Sequence, residues 1–427
     1  MSHSLTKLTF GDLIRQHRVS AELSLNDLAS LTNVSKGTIS KIENGEVKKP
    51  EFKTIRTLAE ALNIPYDTYI EMYIELERNP EVLHTMLDDA ITSCKSILLI
   101  DKIATKYLES DRADSYEAAE RLFHTTSCIQ DSSTKLMLYN RIVDYSRSHG
   151  IMQFIAKGLL QKYLIERNDF SKLKETYQLG RSTLDYINFL SEKEKTTYFY
   201  ALGIHAFSLL NFREAISLME RIVLNEFSES VYKTTALFNM CNSYYYLGQY
   251  DASQSYLNEY SALSHPDVEE NVRILNALLC GKRDTTEGIK HLQRYIKNKP
   301  LDYYIIFAVT ELMELYLIDK DYSAAFDLLS YEGPMKKALN DERTTPFKIA
   351  TFAHFYKLAG NLYINNDPNT ACKYYLNSVS AYAGIGDIER VFLVMANITE
   401  LLTSDIELNQ ETRNKINEVI KSIGRIG

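Results

Sequence analysis

The chain has 427 residues, with 48 Lys and Arg against 56 Asp and Glu, five cysteines, 30 tyrosines and no tryptophan. A net charge of −8 excludes a uniformly basic nucleic-acid binder, and no apolar run has the length of a membrane span. The cysteines (Cys94, Cys128, Cys241, Cys280, Cys372) are odd in number and form no CxxC pair, which argues against disulfides or zinc and for a reducing, cytoplasmic setting.

The charge is unevenly spread. Residues 1–66 carry nine basic against seven acidic side chains, net +2, while the remainder carries net −10. Residues 6–22 are expected to form a first helix, with Thr9 as a possible cap and Phe10, Leu13, Ile14 and Val19 as its apolar stripe. The stretch 24–45, SLNDLASLTNVSKGTISKIENG, reads as two short helices around a tight corner. Leu28, Ala29, Leu31 and Val34 mark the first, and Ile39 and Ile42 the second. Ser24 and Ser35 can accept the free N–H groups of the two opening turns. Asn33 suits a left-handed corner, and Asn44-Gly45 ends the second helix. Glu46 to Pro50 form a basic loop with Lys48 and Lys49. Phe52, Ile55, Leu58, Ala59 and Leu62 mark a fourth helix that closes the module at residue 65.

A helix pair with this corner is a helix-turn-helix, whose second helix enters the major groove by its N-terminal end. The stretch resembles the phage-repressor-like (XRE/Cro) DNA-binding family at Leu28-Ala29, at Val34-Ser35 and along the run Thr38 to Gly45. It departs at Leu25, where a polar residue is usual, and at Asn33, where glycine is usual. Gly37 stands where many relatives carry a base-reading side chain. The resemblance implies that Ser35, Lys36, Gly37, Thr38, Ser40, Lys41, Asn44, Lys48 and Lys49 line the DNA. Lys36, Thr38 and Lys41 would meet base edges or flanking phosphates, and Ser35, Asn44, Lys48 and Lys49 would meet phosphates.

Residues 66–80 read as a separate linker helix stopped by Asn79-Pro80. Tyr66, Tyr69, Ile70, Tyr73, Ile74 and Glu77 give it a wide stripe, which either packs on its own chain or meets a second copy. From residue 81 a degenerate repeat of about 35 residues sets in. Segments starting at Leu202, Met240, Leu312 and Leu358 share a large apolar first residue. Ten residues on stands an aromatic or proline (Phe212, Tyr250, Tyr322, Pro368), and thirteen on a small residue (Ala215, Ser253, Ala325, Ala371). A weaker copy runs from Leu275 to Gly288. The small residue should let two helices approach, and the aromatic should fill the space under the turn. The pattern resembles the tetratricopeptide repeat, so the fold class is all-α: a helix-turn-helix domain followed by a right-handed α-solenoid over 81–427, with Leu401 to Ile423 as its cap.

Such solenoids bind extended peptides along the first helices of their hairpins. The register places Tyr200, Ile204 and Phe207, then Phe238, Asn239, Asn242 and Tyr245, then Glu314 and Tyr363 on that face, with Asn276 and Asn397 as lesser candidates. An Asn amide can donate to a peptide carbonyl and accept from its N–H at once, which makes Asn242 and Asn239 the first choice for gripping a main chain. The whole arrangement resembles the peptide-pheromone receptors of Gram-positive bacteria and their phages, the RRNPP family. That resemblance implies a dimeric, cytoplasmic quorum-sensing regulator that binds operator DNA, switched by a short signalling peptide in the groove and needing no metal or cofactor. An alternative is a repressor whose repeats bind a protein, such as an antirepressor or a response regulator. An enzyme is disfavoured, because no HExxH, GxSxG, Walker loop or GxGxxG occurs. His205 reads as a packed imidazole.

Overall fold

The computed structural model describes residues 9–225, 230–298, 302–340, 344–403 and 408–423. Residues 6–8 of the expected first helix, and 404–407 of the expected cap, lie outside the described residues. Among the described residues every regular element is a helix. Packing divides the chain into two compact units, residues 1–165 with 185–190 and residues 166–184 with 191–427.

The first unit opens with α1 (Phe10–Ser20), α2 (Leu25–Thr32), α3 (Lys36–Glu43), α4 (Phe52–Ala61) and α5 (Tyr66–Ile74). Thr9 with Asp12, and Ser24 with Asp27, form reciprocal capping boxes that satisfy the first N–H groups of α1 and α2. Asn33 takes the left-handed corner at φ 55°. Glycine is required at position 11, where a Cβ would lie 2.4 Å from the Ile42 carbonyl oxygen, so α1 and α3 touch backbone to backbone. Arg18 then clasps the end of α3. Its Nε and Nη2 donate to Glu43 Oε1 and Oε2 at 2.7 and 2.8 Å, and Nη1 donates to the Leu23 carbonyl at 2.8 Å. The apolar stripes are narrower than expected, since Val19 and Leu31 are exposed.

Of the two readings open for the stripe of residues 66–80, packing on its own chain is the one seen, in a helix shorter than expected. Helix α5 ends at Ile74, and its Tyr69, Ile70, Tyr73 and Ile74 are buried in one core with Phe10, Ile55 and Leu58. Tyr73 meets Phe10 and Phe52 edge-on or tilted at 5.8 and 5.3 Å, and its hydroxyl donates to the Pro50 carbonyl at 2.9 Å. The stripe is therefore covered by its own chain and does not wait for a second copy. The same core runs on into α6 (Pro80–Thr92), α7 (Ile97–Leu108), α8 (Ser115–Cys128), α9 (Ser132–His149) and α10 (Met152–Glu166). Surface pairs Arg56–Asp89 at 2.6 Å and Lys102–Glu71 at 2.7 Å lie across the same packing.

The second unit contains α11 (Leu173–Ser182), α12 (Glu192–Ser208), α13 (Phe212–Asn225), α14 (Val231–Tyr246), α15 (Tyr250–Ser261), α16 (Val268–Arg283) and α17 (Thr285–Lys297). It continues with α18 (Asp302–Asp319), α19 (Tyr322–Asp327), α20 (Glu332–Leu339), α21 (Pro346–Tyr363), α22 (Pro368–Gly384), α23 (Ile388–Thr403) and α24 (Gln410–Ile423). The chain is thus a helix-turn-helix module followed by an α-solenoid. The repeat register carries through: Leu202, Met240, Leu312 and Leu358 are buried, and Phe212, Tyr250, Tyr322 and Pro368 each start the second helix of a hairpin. Ala215, Ser253, Ala325 and Ala371 have no exposed surface at all. The role given to the turn aromatic holds for Phe212, which is buried, but fails for Tyr322, which is 52% exposed.

At the weak copy the approach is closest. A Cβ on Gly288 would lie 2.3 Å from the Gly281 Cα and 2.7 Å from its nitrogen, so α16 and α17 meet backbone on backbone. Gly288→Ala must push the two helices apart and should destabilise the fold by about 1–3 kcal/mol, the scale of overpacking. Denaturant unfolding checks this, and Gly37→Ala is the control. Position 37 is exposed with only Ser35 Oγ at 3.9 Å from a built Cβ, so alanine there should leave stability unchanged or improve it.

Candidate functional site

Two constellations of polar side chains stand out, one in each unit. The first is the exposed face of α3 and the loop after it. Ser35 caps the helix by accepting from the Thr38 N–H at 3.1 Å, and its hydroxyl lies 2.9 Å from that of Thr38. Lys36, Gly37, Thr38, Lys41, Asn44 and Lys48 are exposed, while Ser40 is half-buried with Asn44 Nδ2 donating to it at 3.5 Å. Ile39, Ile42 and Glu43 face inward, so the helix presents one polar edge. Among the described residues Lys36, Lys41 and Lys48 have no ion-pair partner.

Lys49 is different. Its ammonium lies 2.5 Å from Glu77 Oε1, and that carboxylate also accepts the N–H groups of Arg78 and Asn79 at 2.8 and 2.7 Å. Burial opposes ionisation of Glu77, but the bonds from Lys49, Asn79 and Arg78 outweigh it and hold its pKa below the usual carboxylate range. Lys49 thus neutralises a buried acid as well as facing solvent. The sequence does not show this pair, because Glu77 lies 28 residues away and falls in register with an apolar stripe.

The second constellation is a cavity of about 430 Å³. Its walls come mainly from the first helices of successive hairpins. Ile204, His205, Phe207 and Ser208 on α12 meet Thr235, Phe238, Asn239, Asn242 and Tyr246 on α14, with Ile274, Leu275 and Leu278 on α16 and Phe307 on α18. Asn239 and Asn242 each donate one amide hydrogen to their own helix, to Thr235 O at 2.9 Å and Phe238 O at 2.8 Å. Neither amide makes another hydrogen bond among the described residues, so each has an oxygen and a second N–H to offer the cavity. His205 is buried, and its pKa is pushed down to about 4 by burial and then by the positive Arg167, so it stays neutral at physiological pH.

Of the residues read from the sequence, Ile204, Phe207, Phe238, Asn239 and Asn242 come together here. Tyr200, Tyr245, Asn276, Glu314, Tyr363 and Asn397 do not line this cavity. Tyr200 packs edge-on against Tyr232 at 5.0 Å, Tyr363 stacks on Tyr374 at 5.7 Å, and Asn397 lies near the Tyr375 hydroxyl, which donates to Asn361 Oδ1 at 2.8 Å. Asn276 is exposed and accepts from Gln254 at 3.5 Å. Tyr245 is buried beside Glu311, and burial followed by that charge pushes its pKa well above the usual value. Glu314 holds Lys282 at 2.9 Å and His354 at 3.7 Å, and these partners keep its carboxyl down at about 2. The fifth position after each leading residue therefore faces the interior of the hairpins more often than the groove. Thr235 and Tyr246 were missed, although they share one helix face with Asn239 and Asn242 at spacings of four, three and four.

The helix-turn-helix family profile matches residues 14–69. The HTH-type transcriptional repressor RghR of Bacillus subtilis is 34% identical over 134 residues, which is 30% of this chain and 95% of that protein. RghRB of the same organism, an uncharacterised HTH-type transcriptional regulator, is 38% identical over 72 residues, 17% of this chain and 52% of that protein. Solved structures with similarity include a tetratricopeptide repeat protein from Parabacteroides merdae (15% identity, TM-score 0.45, 65% of this chain and 99% of that one). Another is PlcR of Bacillus thuringiensis in complex with the peptide PapR7 and DNA (14% identity, TM-score 0.23, 78% of this chain and 100% of that one).

The geometry separates three lysines. Lys41→Ala should weaken operator binding by about 1–3 kcal/mol relative to other DNA, the scale of one base contact. Lys48→Ala should weaken all sequences alike and reduce the salt slope by about 1. Glu77→Gln should cost about 1–3 kcal/mol of stability. A depressed carboxylate pKa stabilises above the unfolded value, so the deficit should be full above about pH 4.3 and shrink as the pH falls through the folded pKa. Binding titrations at several salt concentrations, and unfolding across that pH range, check these outcomes. The capped helix pair, its exposed basic edge and the repressor likeness together place this chain among the helix-turn-helix transcriptional regulators that include RghR.

Proposed function

We propose that this transcriptional regulator is switched by a short signalling peptide bound in the α12–α18 cavity, and that it works in the cytoplasm as a homodimer on a two-fold operator. The observation that carries the reading is the pair Asn239 and Asn242, with unspent amide groups on a cavity whose other walls are mostly aromatic and aliphatic, with Arg167, His205, Ser208, Thr235 and Thr345 among them. Its volume of about 430 Å³ falls in the range of small-ligand pockets, about 300–1,000 Å³. A folded partner would need a broad exposed surface, whereas an extended chain needs paired amides and side-chain pockets. Phe207 and Phe238 then select apolar side chains, while the asparagines hold the main chain whatever its sequence.

DNA is read by Ser35, Lys36, Thr38, Lys41 and Asn44 on α3, with Gly37 and half-buried Ser40 beside them and Lys48 on the following loop. One module of net +2 binds a half-site weakly, which favours two copies on one operator. Peptide binding changes operator affinity through the relation between the two units, and by linkage DNA changes peptide affinity by the same factor.

Mass spectrometry of material co-purifying from the native host tests the ligand class. A short peptide supports the reading, and a folded protein as the stoichiometric partner overturns it. Asn242→Ala should weaken binding of that peptide by about 1–3 kcal/mol in calorimetry while leaving peptide-free operator binding intact. Undiminished affinity in the variant would remove Asn242 from the site. Light scattering should give a dimer at micromolar protein.

A further inference from the structure

A solenoid repeat ordinarily touches only its neighbours in the stack. Here the α12–α13 hairpin also reaches the α21–α22 hairpin, although three further hairpins lie between them in the chain. The contact centres on Phe347 in the first turn of α21, which is 5% exposed. Its ring lies 4.7 Å from Phe207 near the end of α12 and 6.1 Å from Phe212 at the start of α13, with Tyr246 at 4.9 Å and Phe307 at 5.2 Å. Between Phe207 and Phe212 in the chain stands Leu210, packed against the buried cluster that α21, α22 and α23 share. On the same side Lys174 Nζ of α11 covers Gly386 in the α22–α23 turn so closely that a Cβ there has no room.

Leu210 holds this place on a strained backbone. In three repeats the residue eight positions after the leading one is left-handed: Leu210 (φ 64°), Gly248 (φ 73°) and Lys320 (φ 64°). Glycine adopts that conformation freely, whereas a Cβ is crowded there. Lys320 is exposed, but Leu210 is half-buried and lines a second cavity, of about 300 Å³, with Tyr382, Arg390, Leu393 and Val394. Apolar contact with the distant hairpins is what the side chain gains in return for the strain. The same corner also contributes Phe207 to the first cavity, and Phe347 stands in the walls of both. We propose that the α12–α13 corner is a clasp: Leu210 and Phe207 hold α21–α23, close the solenoid on itself and complete both cavities in one step. With the corner parted neither cavity is whole, so a ligand enters and leaves through the open form. A ligand that fills either cavity binds the closed form better and holds the clasp shut.

The test uses the full-length protein without any ligand, so its outcome is independent of the peptide reading. Spin labels at two exposed sites, Ser217→Cys on α13 and Asn377→Cys on α22, report the separation of the two hairpins by pulsed electron paramagnetic resonance. Cys94→Ser, Cys128→Ser and Cys280→Ser first remove the native thiols that are exposed or half-buried. With Leu210 in place the labels should give one narrow distance. Leu210→Gly should add a longer population, and its thermal midpoint should fall, because lost docking outweighs the eased backbone. At a left-handed turn with no docking role, the same change to glycine would raise the midpoint. Leu210→Asn, which tolerates the left-handed backbone but removes the apolar side chain, should also open the clasp, and it replaces the glycine variant if that one is unfolded by circular dichroism. An unchanged single distance in the folded variants overturns the clasp, whatever the midpoint does. So does the same mixture of distances with and without Leu210.

Discussion

Two helices can approach only as closely as the side chain between them allows, and that limit governs the solenoid of this protein. Where the second helix of a hairpin carries Ala215, Ser253, Ala325 or Ala371, or nothing at all at Gly288, its partner lies directly against it. The first helix is then fixed in rotation, and the residues it turns away from the crossing become the lining of a common space. Gly360 repeats the device from the other side, since a Cβ there would sit 2.4 Å from the Tyr375 ring. The cavity is thus a by-product of tight hairpins whose first helices keep the same face inward.

What fills that face then decides the chemistry. Buried polar groups must find partners, and Asn239 and Asn242 each satisfy only one amide N–H within α14. A serine in their place could be satisfied entirely by the helix and would offer a ligand less. The neighbouring acids are handled differently: Glu311 and Glu314 share Lys282, so two carboxylates are held by one ammonium and neither is left bare in a half-dry interior. The DNA module uses the same rule at Glu43, which is tied to Arg18, and at Glu77, tied to Lys49.

Features set by neighbours in the chain were legible in the sequence. The capping residues Thr9, Ser24 and Ser35, the left-handed Asn33 and the small residue thirteen positions into each repeat all act through contacts within one hairpin. Features set by distant partners were not. Nothing local to Lys49 announces Glu77. The inward turn of Tyr245 depends on Glu311 in a hairpin further along, and Phe347 becomes a cavity wall only because α12 and α14 reach it. Helix α5 was legible as a helix but not in its role. Its aromatic stripe has the same appearance whether it meets a second copy or, as here, Phe10 and Phe52 of its own chain.

The chain passes between its two units three times, at 165–166, 184–185 and 190–191. Residues 185–190 belong to the first unit, where Tyr186 packs beside Val143, Ile155 and Leu159 and Leu190 is buried. The units are therefore laced rather than strung. A truncated chain ending at residue 165 would keep the DNA-reading helices but uncover that apolar seam, and one starting at 191 would lose α11 from the other unit. A protease nick near 184 would cut one of three crossings and leave the others intact.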